Sequence, residues 1–222
     1  MATFLAKLAG VSGALGASGL GGYGIYKAFF QKISIKEAIL SYETKDSTYS
    51  FLPEHSSSWG AIKTEYAKET SRDKPTKDGV TISQDNLPRW CATAVKDDFL
   101  GKEDAKYQSI LRWCYLNTNS FSQQVESKGR ELIKDASSSE GNPSSAWKSS
   151  WKDKYKSKKD DPSWRITDVD TSDNLNGEDE GKGATALKAW CEKKKNIFMY
   201  TEEARSDFKK FFKFCTAAKG AH

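Results

Sequence analysis

The sequence predicts an all-α protein: two tandem small helical bundles after an N-terminal hydrophobic helix. Tryptophan–cysteine doublets recur, first Trp90-Cys91 with Trp113-Cys114, then Trp190-Cys191 with Phe214-Cys215, and they hold all four cysteines of the 222-residue chain. Around them apolar residues return three and four positions apart, the period of a helix with one buried face. Alternating runs of β type are few. The expected division is an N-terminal segment 1–31, a first helical unit 32–120 and a second unit 121–222.

Hydrophobic residues make up 37% of the chain and charged residues 29%, enough for a core but not a large one. A unit of about 90 residues buries a modest fraction of its apolar surface and gains from a covalent staple. The formal charge is +5, with four of its lysines (Lys7, Lys27, Lys32, Lys36) ahead of the first acid, Glu37. The remaining 31 bases face 30 acids, a net of +1. So nearly neutral a body argues against a nucleic-acid partner.

From Leu8 to Tyr26 run nineteen uncharged residues between Lys7 and Lys27, seven of them glycine. The length suits a bilayer core, and Ser12 with Gly16, and Ser18 with Gly22, allow close helix approach in lipid. An uncleaved membrane anchor is the favoured reading, which makes the lipid bilayer a partner. A signal peptide cleaved near Gly16-Ala17-Ser18 and a plain tail compete with it. Gly19-Leu20-Gly21-Gly22-Tyr23-Gly24 fits the dinucleotide fingerprint by spacing, but no strand or βαβ unit surrounds it, so no cofactor is expected.

In unit 1, Ile35, Ala38, Ile39 and Tyr42 predict a short helix over 34–43. Ser56-Ser57-Ser58 caps a second helix striped by Trp59, Ile62 and Tyr66. A charged linker, 71–85, precedes a helix capped by Asn86 with Pro88 in its first turn. That helix carries Cys91 and ends near Gly101; the last holds Tyr107, Ile110, Leu111, Cys114 and Tyr115. Unit 2 repeats the order. Arg130-Glu131-Leu132-Ile133 echoes Lys36-Glu37-Ala38-Ile39, and Trp147, Trp151 and Tyr155 echo the first stripe. An acidic linker, 160–183, leads to Trp190-Cys191, and a helix over 201–215 carries Ala204, Phe208, Phe211 and Phe212. The offset is 88 at Trp59 and Trp147 but 100 at the first doublets, so the linker has absorbed the added length.

Matched cysteines favour one disulfide per unit, Cys91–Cys114 and Cys191–Cys215, each joining consecutive antiparallel helices. Four reduced cysteines packed beside tryptophan are the competing reading; zinc is disfavoured by the lack of C-x-x-C spacing. Disulfides imply an oxidising space outside the membrane. The lysine excess after the apolar segment points the other way under the positive-inside rule, and the cysteines carry more weight.

No triad, metalloprotease motif or nucleophile elbow is present, and His55 and His222 stand in a serine loop and at the terminus, so no enzyme, catalytic residue or metal ligand is assigned. Asp168, Asp170, Asp173, Asn176, Glu178, Asp179 and Glu180 resemble a calcium loop, but Asp173 falls where that loop needs glycine. Gly177 to Gly183 matches a phosphate loop only loosely. Lys148, Lys152, Lys154, Lys156, Lys158 and Lys159, interleaved with aromatics, form a candidate polyanion surface, although a helix stripe explains the aromatics as core and the lysines as its wet face.

Leu5-Ala6-Lys7 ahead of a Gly/Ala-rich apolar run, then two units each with a leucine–isoleucine element, a serine loop, Trp59 or Trp147 and paired doublets, resembles the large paralogous protein families of haemotropic mycoplasmas. Phe214 departs from the tryptophan of that pattern. The resemblance implies membrane association, surface exposure and antigenic variation, and it carries no activity and no site residues. The expected function is a non-enzymatic, membrane-anchored surface protein with its body outside the cell, in contact with a host surface or varying its sequence to evade immunity. The alternative is an extracellular binding module for a host polyanion or small ligand.

Overall fold

A computed structural model describes residues 32–43, 46–70, 74–134 and 143–220. The uncharged segment 8–26, with its glycine run, and His222 lie outside the described residues. Among those described, no helix is long and apolar enough to cross a membrane.

The first half runs α1 (Ile35–Tyr42), β1 (Tyr49–Phe51), α2 (Trp59–Lys68), β2 (Thr76–Lys77), β3 (Val80–Thr81), α3 (Leu87–Ala94), α4 (Ala105–Trp113) and β4 (Tyr115–Asn117). The second runs α5 (Phe121–Ser127), β5 (Arg130–Leu132), α6 (Ser145–Ser149) continued by a π turn (Ser150–Tyr155) and a 3₁₀ turn (Lys156–Lys158), then α7 (Ser172–Leu175), α8 (Glu180–Lys194), α9 (Glu202–Phe214) and β6 (Thr216–Ala218). Helix accounts for about 50% and strand for 11% of the described residues.

The expectation of an all-α protein is therefore corrected. Three antiparallel two-stranded ribbons accompany the helices: β1 with β4, β2 with β3, and β5 with β6. Their strands are two or three residues long, too short for an alternating pattern to register. The β2–β3 ribbon lies in the stretch expected to be a plain linker. It turns through Asp78 (φ 53°) and Gly79 (φ 79°), both left-handed, as a two-residue hairpin loop requires.

The ribbons also correct the internal alignment. Arg130–Leu132 is a strand, and its counterpart in the first half is β1; the counterpart of α1 is α5. Both helices open with a capping box, Ser34 with Glu37 and Ser120 with Gln123. Ile35 N donates to Asp97 O as Phe121 N donates to Ile197 O, and Phe99 N to Ile33 O as Met199 N to Asn119 O. Leu52 N donates to Cys114 O as Ile133 N does to Cys215 O. Three non-local backbone bonds thus recur in matched places, which local propensity alone does not produce.

Disulfides link Cys91 to Cys114 and Cys191 to Cys215, with Cα atoms 5.4 and 5.7 Å apart. Each closes a helix pair, α3–α4 or α8–α9, and its second cysteine is the C-cap residue from which the ribbon strand departs. Closing loops of this length disfavours the unfolded chain by about 3.5 kcal/mol per bond. Each frame encloses its own apolar cluster. Trp59, Ile62, Tyr66 and Trp113 anchor the first, and Trp151, Tyr155, Trp190 and Phe214 the second. Tyr66 meets Trp113 edge-on with centroids 4.8 Å apart, as Tyr155 meets Phe214 at 5.2 Å. Phenylalanine thus fills the place of the fourth doublet tryptophan.

The halves touch through specific contacts. Arg112 donates to Tyr200 O (2.9 Å) and Glu202 N to Glu65 Oε1 (3.1 Å), while Tyr200 itself is buried in the first cluster. Lys128 pairs with Asp46 at 2.8 Å and, with Thr48, holds the Asp46 carboxyl at about 2.

The π turn has a simple origin. Trp59 and Trp147 are offset by 88, but Tyr66 and Tyr155 by 89, so the second helix carries one extra residue within the stripe. A wider turn absorbs such an insertion while keeping both aromatics inward. It places Trp151 against Gly183, where a Cβ would sit 2.2 Å from the indole. Gly183→Ala is predicted to destabilise by about 2 kcal/mol through overpacking. Gly181→Ala, whose Cβ would meet only Asp179 Oδ1 at 3.5 Å, is predicted to be neutral or stabilising by up to about 1 kcal/mol. Chemical denaturation of the two variants measures the contrast.

Candidate functional site

The chemistry-bearing side chains of the described residues gather on unit 2, where the lysine-bearing helix meets the acidic linker. Burial of Trp147, Trp151 and Tyr155 leaves Lys152 exposed and Lys148, Lys154, Lys156, Lys158 and Lys159 half-buried around them. They are not left bare. Lys156 pairs with Glu178 at 2.7 Å, Lys159 with the same carboxylate at 2.9 Å, and Lys152 with Glu180 at 3.8 Å. Lys156 and Lys159 together draw the Glu178 carboxyl down to about 2. Lys154 turns inward to donate to Thr216 O at 3.0 Å; burial, then Arg130 and Lys213, lowers its pKa. Lys148 and Lys158 are half-buried. The six lysines are thus not brought to one bare face: Lys152, Lys156 and Lys159 meet the linker acids, while Lys154 points to the β6 side.

The linker acids have structural work as well. Asn176 accepts from Tyr155 Oη (2.7 Å) and donates to Ile166 O (3.0 Å), and Asp179 caps α8 by accepting from Lys182 N (2.9 Å). Asp170 and Asp173 are exposed. The loop reads as a clasp over the lysine helix. A cavity of about 330 Å³ opens beside the α8 N-terminus, lined by Pro143, Thr171, Asn174, Asp179, Lys182 and Thr185 among others. His55 is exposed between β1 and α2.

One cluster escaped the sequence reading. Lys194, 2% exposed, sits among Asp168, Glu203 and Asp207, with Asp207 Oδ2 at 2.6 Å and the other two carboxylates also in contact. The three carboxylates lie close enough together to hold a metal ion, but the ammonium occupies their centre. Burial opposes its charge; hydrogen bonds to Asp168, Asp207 and Glu203 outweigh that and raise its pKa. Burial likewise opposes ionisation of Asp168, yet bonds from Lys194 and from Trp190 Nε1 (2.9 Å) hold its pKa below the usual range. The matched residue in unit 1 is Ala94. A lysine on a helix ordinarily reads as surface, and its acids lie 9, 13 and 26 positions away, two of them on the next helix, so no local pattern announces the cluster.

Lys194→Met is predicted to destabilise by about 3 kcal/mol, because it leaves carboxylates crowded without a counter-charge. The cluster's share of the acid response also changes sign. In the parent chain the Asp168 contribution is present above the unfolded carboxyl pKa, about 4, and is lost as pH falls through the lowered folded value. In the variant, protonation relieves repulsion, so the stability gap between variant and parent is expected to narrow as pH falls over that range. The difference between variant and parent denaturant midpoints, measured from pH 6 to pH 3, tests the change.

Comparison with protein-family models, with curated proteins and with solved structures yields no match.

Proposed function

We propose that this chain is a non-enzymatic, membrane-anchored surface protein, with both disulfide-closed units outside the cell and a role in host contact or immune evasion by sequence variation. The observation that carries the reading is the pair of matched disulfides, Cys91–Cys114 and Cys191–Cys215. Such bonds persist in oxidising spaces and are rare where thiols are kept reduced. The uncharged segment 8–26 supports an anchor, as does the resemblance to the mycoplasma families. The nearly neutral body supports a partner other than nucleic acid. Support for a non-enzymatic role comes from how reactive side chains are used: the cysteines are oxidised and Lys194 is enclosed by carboxylates.

Sequence variation suits such an architecture. Two covalent staples and two small cores hold the frame, while exposed loops and lysine positions tolerate change within about 0.5 kcal/mol. Protease treatment of intact cells bearing the full chain is expected to degrade both units while a cytoplasmic marker survives. Protection of the body until the cells are lysed would overturn the outward placement.

A further inference from the structure

The repeat exposes one unfilled position. Cys91 and Cys191 are 100 residues apart, and the same offset relates Phe99 to Met199 and Leu100 to Tyr200. Tyr200, at 7% exposed, docks into the core of the preceding unit, secured by Arg112 and by the bond from Glu202 N to Glu65. Its counterpart Leu100 is 80% exposed, the highest value among the exposed large apolar side chains. It stands just ahead of a turn that opens at Gly101 (φ 139°), beside Phe99 and the ring of Tyr42, which is 54% exposed and 5.8 Å from Phe99. Lys102 lies over that ring at 5.4 Å, and Lys32 is exposed at the same edge.

What precedes unit 1 in the chain is the uncharged segment. The chain enters the fold beside this turn. Lys32 pairs with Asp98, Ser34 bridges Asp98, and Phe99 N donates to Ile33 O at 2.9 Å. From Tyr26 to Lys32 is six residues, which span at most about 20 Å even fully extended. The turn is therefore held close to wherever that segment lies.

A second copy of the chain is disfavoured by charge. Were another copy's unit 2 to receive Leu100 as unit 1 receives Tyr200, Lys102 would replace Glu202, Lys154 would replace Glu65 and Lys213 would replace Arg112. Three cations would then meet where the internal contact has arginine between glutamates. A leucine tip, a tyrosine at its rim and flanking lysines instead fit the interfacial zone of a bilayer, where apolar side chains enter and amphipathic ones stay at headgroup depth.

We propose that the Tyr42–Phe99–Leu100 tip is a membrane-contact surface that seats unit 1 on the lipid headgroup layer, as the Tyr200 position seats unit 2 on unit 1. The inference rests on the anchored reading above. In the test, Leu100→Trp, Tyr42→Trp and, as a control on the separate hairpin, Val80→Trp are made in the full chain and reconstituted with vesicles of dibrominated phosphatidylcholine. Five of the seven native tryptophans are buried, which keeps the background steady. The emission added by Leu100→Trp and Tyr42→Trp is expected to be quenched by bromine roughly twofold or more beyond that of Val80→Trp, given insertion to the depth of an interfacial side chain. Two positions guard against a variant that folds poorly, which a non-reducing peptide map would reveal. Flotation with the vesicles but equal quenching at all three positions would overturn the contact and leave anchoring standing. Failure to float would overturn both. A concentration-dependent blue shift of the Leu100→Trp emission without lipid would replace the bilayer by a second copy.

Discussion

The second cysteine of each pair does three things at once, and the rest of each unit depends on it. Cys114 ends α4 and Cys215 ends α9; each is tied back to the preceding helix through sulfur, and each offers its carbonyl to an incoming strand. The tie fixes the antiparallel helix pair, the cap releases the chain from helical geometry, and the carbonyl starts the ribbon. Because the strands that leave the cysteines are three residues long, they contribute little alone. Their register follows from the covalent anchor beside them.

Divergence between the units is confined to places where this frame tolerates it. One residue added to the second stripe helix became a π turn, and the larger Trp151 that followed found room over Gly183. Where unit 1 has Ala94 unit 2 has Lys194, and the longer linker supplies Asp168 as one of three counter-charges. The same linker supplied Glu178 and Glu180 to the lysine helix. Cores of similar size thus differ chiefly in that the one of unit 2 is closed by an ionic clasp. The buried ammonium is no large net source of stability, since a well-packed apolar substitute for the whole cluster would cost less desolvation.

How much of this was legible in the sequence varies by element. The cysteine pairing was, because doublets at matched spacing leave few arrangements, and so was the stripe of Trp59, Ile62 and Tyr66, with its period over a full helix. Helix α9 was expected over 201–215 and spans Glu202–Phe214. The ribbons were missed. Arg130-Glu131-Leu132-Ile133 is too short to separate a strand from a helix by period, and its partner Thr216–Ala218 lies more than eighty residues away. Asp78-Gly79 carried a hairpin signal, obscured by the charged residues around it. At the candidate site the lysines were visible as a group. Their engagement by Glu178, Glu180 and Thr216 was not, because it depends on how the linker folds back.

The central claim is that two covalently closed frames, each tied within itself, organise the chain. A peptide map of freshly isolated protein under non-reducing conditions tests it most directly. The account predicts two cross-linked fragments, one joining Cys91 to Cys114 and one joining Cys191 to Cys215, with no free thiol. Four free thiols, or a bond between a cysteine of one unit and a cysteine of the other, would contradict it.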